Sequence, residues 1–251
     1  MYELLLAAII VFVASVLQSA IGFGFAIVAT PFLLLVYNSR DVIQLSIILS
    51  FFVAVFLIKK IWHQIDHAML KRLIYGSILG VPLGLLFFVY VSLDILKVTI
   101  SIIVLIIASF MLIKWYYNYH KVSSHKQQDD RTDASGTQLL AGFLSGMLTT
   151  SVGMPGVPLA VYFSAKNVKK EVVRSTTLAF FIFVYIISMI SQLITVKVGY
   201  NVISISLTLI PAVAVGVIGG NYLFNRINQK IFHLFVNGIL IFTGVYMLVT
   251  T

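Results

Sequence analysis

Two short stretches of this chain concentrate residue types that can hold a small charged solute inside an apolar body. Residues 18–24 read Gln18, Ser19, Ala20, Ile21, Gly22, Phe23, Gly24, and residues 149–158 read Thr149, Thr150, Ser151, Val152, Gly153, Met154, Pro155, Gly156, Val157, Pro158. Each stretch joins hydroxyls or an amide to glycines, which let a ligand approach the main chain closely. Where a helix restarts after such a break, its first N–H groups are unpaired and carry the positive end of the helix dipole. Two such ends facing each other make an uncharged cradle for an anion. In that reading Gln18 and Ser19 donate from one side, and Thr149, Thr150 and Ser151 from the other. Gly22, Gly24, Gly153 and Gly156 admit the anion, and Phe23, Met154 and Pro155 complete the turns. Small residues also serve close helix packing. Binding is favoured because the break recurs at matching places in two halves of the chain.

The surroundings of these stretches follow from composition. Of 251 residues, 60% are hydrophobic and 10% charged, with mean hydropathy +1.05. A soluble domain has about 25% charged residues. A water-soluble enzyme, a nucleic-acid reader and a disordered chain are thereby excluded, leaving an all-α, polytopic helical membrane protein. Apolar runs lie at 4–18, 23–37, 42–58, 73–91, 95–113, 139–165, 175–196, 203–224 and 231–250. They are apolar on all sides, unlike the alternating strands of a barrel. Residues 4–37 would make one helix of about 51 Å, too long for a single crossing of about 30 Å. Split at the glycines, each arm has about 15 residues, so a re-entrant or broken helical hairpin is expected there and again at 139–165. No Lys/Arg-rich segment precedes the first run, so it is expected to stay in the mature protein.

The chain divides into a first transmembrane repeat at 1–117, a polar linker at 118–138 and a second repeat at 139–251. Each repeat opens with a broken stretch and continues with three full-length runs. Ile95 and Met111 of the first correspond to Ile231 and Met247 of the second, and the pair Arg40, Asp41 to Lys170, Glu171. The net charge is +9. Most Lys and Arg fall in four connections, at 59–72, 114–138, 166–174 and 225–230, and only Arg40, Lys97 and Lys197 fall in the others. The rich connections all land on one side when crossings alternate. The positive-inside rule then makes the linker cytoplasmic and the C-terminus extracytoplasmic. Three crossings are an odd number, so the two repeats are inverted relative to each other, as in many transporters. Trp62, Trp115, Tyr116, Tyr117 and Tyr119 fall at the inner interface.

Other candidates are weaker. Glu3, Asp41, Asp66, Asp94 and Glu171 stand at segment ends; the lack of a mid-helix carboxylate argues against a cation carrier and for an anion path. Arg174 opens a run, where it either attracts an anion at the inner mouth or is an ordinary inner-side charge. Gln44 takes the comparable place in the first repeat, and Gln192 lines a path or sits at the interface. Ser46, Ser50, Thr176 and Thr177 are expected to bond their own i−4 carbonyls. His63 and His67 have a helical metal-ligand spacing beside Asp66, but no third strong ligand accompanies them. Ser145 and His233 do not form a serine-hydrolase elbow. The chain has no Cys, and no metal, cofactor or catalytic residue is expected.

The same breaks carry a resemblance. Residues 18–25 followed by Ala29, Thr30 and Pro31 look like the first signature of the TauE/SafE sulfite exporter family. Residues 142–146 with 152–159 resemble its second, and residues 171–176 the segment that follows. Val157 stands where family members often carry another proline beside Pro158. The likeness spans essentially the whole chain. It implies a plasma-membrane permease for sulfite or short organosulfonates. The expected function is export of such oxyanions by alternating access around the two breaks, with Arg174 added to the binding set. The alternatives are an anion channel, or a sensor or assembly protein that transports nothing. The expected partners are a small anion and the lipid bilayer; nucleic acid is excluded and self-association, as a homo-oligomer, is left open.

Overall fold

Long apolar runs without breakers can satisfy their backbone groups inside a bilayer only as helices, and helices are what they form. In the computed structural model the described residues are 2–120, 134–164, 166 and 168–223, with 241, 244–246 and 248–249 near the end. The linker core at 121–133 and nearly all of the expected last run, 231–250, lie outside them. The elements are α1 (Tyr2–Ile21), α2 (Phe25–Tyr37), α3 (Asp41–Ile61), a 3-10 turn (Trp62–Gln64), α4 (His67–Tyr90), α5 (Leu93–His120), α6 (Ala134–Val152), α7 (Gly156–Ser164), α8 (Lys170–Thr195) and α9 (Tyr200–Leu223). No strand occurs among the described residues. Six of these helices, α1, α3, α4, α5, α8 and α9, are long and apolar enough to cross a membrane. The protein is an all-α multi-pass membrane protein. Both ends of the expected linker are helical: α5 continues to His120 and α6 begins at Ala134.

Both breaks fall where the glycines stand, but the hairpin arms are unequal rather than about 15 residues each. Helix α1 has 20 residues and α2 has 13; α6 has 19 and α7 has 9. Nothing in residues 18–21 stops a helix, so α1 runs on until Gly22 takes a φ of 96°. At Gly153 a φ of 79° ends α6 in the same way. Left-handed backbone of this kind is open to glycine at little cost.

Every acidic side chain among the described residues sits at a helix N-terminus. Glu3, Asp41, Asp94 and Glu171 lie in first turns. Asp66 caps α4, its side chain accepting from Met69 N at 2.9 Å. There each carboxylate meets the positive end of a helix dipole. Arg40 serves the opposite end, donating to the α4 carbonyls of Phe88 and Val89, both at 3.4 Å, and of Val91. Helix α3 is the central span, with 67% of its spanning residues buried against 33% for α5 and α9. The outward faces of α4, α8 and α9 expose Leu79, Ile194 and Ile218, as a lipid-facing surface does. Trp62 is exposed at the end of α3; the side chains of Trp115, Tyr116, Tyr117 and Tyr119 lie outside the described set.

Two helix pairs approach backbone to backbone. Gly76, Gly80 and Gly84 of α4 face Leu139, Phe143 and Met147 of α6, and Gly142 and Gly146 of α6 face Leu73 and Ser77 of α4. Both series rise together, so the two helices run in the same direction. Gly216 and Gly220 of α9 meet Phe12, Ser15, Val16 and Ser19 of α1, again in the same direction. Helix α3 packs on α8 between these pairs. Small residues at four-residue spacing permit such approach in membranes.

Candidate functional site

The two breaks meet. A Cβ added to Gly156 would lie 3.2 Å from Phe23 Cβ and 3.5 Å from Phe181 Cζ. The residue that opens α7 thus touches the turn that leads into α2. Gly22 packs under Arg174, where a Cβ would come within 2.8 Å of Arg174 Cγ. Gly153 faces α3, 3.7 Å from both Ile43 O and Ser46 Cβ by the same construction. A Cβ at Gly24, φ 125°, would meet nothing within 4 Å, so space is open beside the first turn of α2.

Gln18 is the side chain that best fits a ligand contact. It is fully buried. Its Oε1 accepts from Phe25 N at 3.2 Å, which caps α2 and fixes the orientation of the amide. The Nε2 group then points elsewhere, is buried, and has no hydrogen-bond partner. An unpaired buried donor costs about 1–3 kcal/mol.

The other expected donors are spent on the protein itself. Ser19 Oγ donates to Val217 O at 3.0 Å and ties α1 to α9. Thr149 and Ser151 donate to the carbonyls four residues back, of Ser145 and Met147. Thr150 Oγ1 lies 2.7 Å from Ser188 Oγ and 3.3 Å from Gly146 O. The breaks therefore present turns and backbone rather than a ring of hydroxyls. Met154 is buried and its N donates to Leu148 O at 3.0 Å, while Gly153 N donates to Thr149 O at 2.9 Å. Gly22 N donates to Gln18 O at 2.7 Å in the matching place. Pro155, also buried, carries the chain into α7.

The hydroxyls expected to bond back do otherwise. Ser46 Oγ and Thr177 Oγ1 are buried and without a partner, and Thr176 Oγ1 accepts from Asp66 N at 3.0 Å. Elsewhere Thr99, Ser101, Ser191, Ser206 and Thr208 all donate to their i−4 carbonyls. Ser46 is therefore an addition to the site, since it stands beside Gly153 with its hydroxyl unspent. Residue type alone predicts the ordinary back-bond; only the register of α3 against the second break reveals the exception.

Arg174 is held against the first break. Its Nη2 donates to Ser19 O at 2.6 Å and to Asn221 Oδ1 at 2.9 Å. That brings a full positive charge against the first break. Gln192 is buried, with Nε2 donating to Thr150 O at 2.9 Å, so it belongs to the second break and not to the interface. Gln44 is buried as well and reaches Lys197 O at 3.2 Å. His63 lies in the 3-10 turn and His67 at the start of α4, with the extended Asp66 between them, so they do not share one helical face. Among the described residues no group of three or more metal-ligating side chains is present.

No curated protein and no solved structure matches this chain. The pattern of one family, described as Sulfite exporter TauE/SafE, matches residues 7–247. That match spans both breaks, all of α2 to α9 and α1 from residue 7 onward. The chain therefore belongs to the sulfite exporter TauE/SafE family of membrane transporters.

Proposed function

We propose that the joint of the two breaks binds a small oxyanion, sulfite or a short organosulfonate, and that the protein exports it by alternating access. The observation that carries this is the buried Gln18 Nε2, unpartnered, beside the first turn of α2 where α2 and α7 begin. Its amide hydrogens, Ser46 Oγ and the two helix N-termini offer donors and positive potential to an acceptor-only head group. Arg174, across Gly22, adds positive charge at the first break.

Inverted repeats in the membrane are part of the proposal. Each same-direction pair joins the first helix of one repeat to a later helix of the other, α1 with α9 and α6 with α4. An inverted arrangement with a cytoplasmic linker requires those directions. The positive-inside distribution supports the same orientation, with the C-terminus outside.

Counterflow in proteoliposomes tests the reading, with sulfite, thiosulfate, sulfate, taurine, isethionate and sulfoacetate as candidates. Saturable exchange of at least one, weakened in Gln18→Ala, is expected. No flux of any of them in folded protein removes the substrate class, and flux that never saturates makes the protein a channel.

A further inference from the structure

One face of α8 touches both breaks and the joint between them. Arg174, Phe181, Ser188 and Gln192 follow at intervals of 7, 7 and 4 residues, which keeps them on one side of a helix. Arg174 holds Ser19 O in the first break. Phe181 lies at the joint, against Gly156. Ser188 and Gln192 hold Thr150 in the second break, one through its hydroxyl and the other through its carbonyl.

The two held carbonyls are equivalent. Ser19 and Thr150 each stand three residues before the left-handed glycine that ends the helix, Gly22 or Gly153. The preceding carbonyl, of Gln18 or Thr149, is taken by that glycine's own N–H. The next one has no partner within its helix, and in both breaks α8 supplies it. The suppliers are about 27 Å apart along the α8 axis at about 1.5 Å per residue.

We infer that the two ends of α8 are the two closures of the transport path, Arg174 with Asn221 at one end and Gln192 with Ser188 at the other. The inference rests on the joint being the transport site. Each closure pins one broken helix, so releasing one frees that helix end and opens the joint to one face of the membrane only. The closures differ in chemistry. The arginine end is charge-assisted and holds three helices together, α8, α1 and α9; the glutamine end is neutral and holds two. Charge-assisted bonds are roughly twice as strong, so the arginine end is the tighter closure. An anion in the joint gives the guanidinium a better acceptor than a neutral carbonyl, which couples arrival of the substrate to release of that end.

The chain has no cysteine, so one introduced thiol reports on access. Ser46→Cys places it beside Gly153 at the joint with little change in volume. Sealed vesicles of both orientations are treated with a membrane-impermeant thiol reagent, and the modification rate is read from each face. Arg174→Gln should speed modification about 10-fold or more from one face, and Gln192→Ala about 2- to 10-fold from the opposite face. Ser188→Ala should follow Gln192→Ala, and Arg174→Lys should give a smaller change on the face opened by Arg174→Gln. These two milder variants stand in if a stronger one fails to fold. Acceleration on the same face for both ends, equally on both faces, or on neither with melting intact, would overturn the inference. No substrate is needed, so failure of the sulfite or sulfonate assignment leaves this result standing, and the reverse also holds.

Discussion

Replacing Gln18 by glutamate separates the two jobs of its side chain. The Oε1 atom caps α2 by accepting from Phe25 N at 3.2 Å. A carboxylate oxygen does this at least as well beside the positive end of a helix. What disappears is the buried, unpartnered Nε2. A hydrogen bond to a charged ligand contributes about 1.5–3 kcal/mol, so losing one weakens binding about 10- to 150-fold. An ionised glutamate also repels the anion, by about 3 kcal/mol at ~5 Å and an effective dielectric of ~20. Together these give a loss of about 10³- to 10⁴-fold. Should the acid protonate, it keeps one donor of two, and the loss shrinks toward the hydrogen-bond figure alone. Gln18→Ala loses the cap as well, at about 1 kcal/mol, but also removes the unpaired buried donor, which offsets that loss in the ligand-free protein. The assay is a thermal-shift titration with sulfite and isethionate beside the melting temperatures without ligand. Gln18→Glu should respond to neither anion. A Gln18→Glu protein that binds like the unaltered one refutes the assignment of the amide.

Four further outcomes follow from the geometry. Gly22→Ala must place a Cβ 2.8 Å from Arg174 Cγ and 3.2 Å from Arg174 Cα at a φ of 96°; it should lower stability by about 1–3 kcal/mol and abolish anion counterflow. Gly80→Val should fail to accumulate as folded protein in a detergent-extraction and size-exclusion assay, because even a Cβ there would lie 2.9 Å from Met147 N and overlap the Phe143 carbonyl. Gly136→Ala, with open space at its Cβ, should melt unchanged or higher, by up to about 1 kcal/mol of helix propensity. Asp66→Ala removes the cap on Met69 N and should cost about 1 kcal/mol in a denaturation midpoint.

Composition and hydrophobic runs suffice to anticipate the helices, because a bilayer leaves the backbone few other ways to satisfy its polar groups. Both breaks are legible too, since glycine takes the left-handed turns at Gly22 and Gly153 at little cost. Arm lengths are less so: Gln18 and Ser19 look like loop chemistry, yet a helix accepts them and continues. The polar side chains are where residue type misleads. Thr149 and Ser151 turn back onto their own helix while Ser46 does not, and the difference is set by tertiary register. Arg174 reads as a surface charge, yet the small residues of the first break leave room for it to fold inward. The glycine ladder Gly76, Gly80, Gly84 and its partners Gly142 and Gly146 carried a spacing signal for close packing, but which helix answers it is a three-dimensional fact.

The backbone-close pairs, α4 with α6 and α1 with α9, both cross from the first half of the sequence to the second. A carbonyl wedged against a glycine leaves no slack for sliding, so each pair behaves as a single strut made from both halves. The halves are woven together, and the seam in the sequence is not a mechanical seam. In the alternating-access reading proposed above, motion falls between the struts and the α3–α8 layer, with neither half swinging as a block.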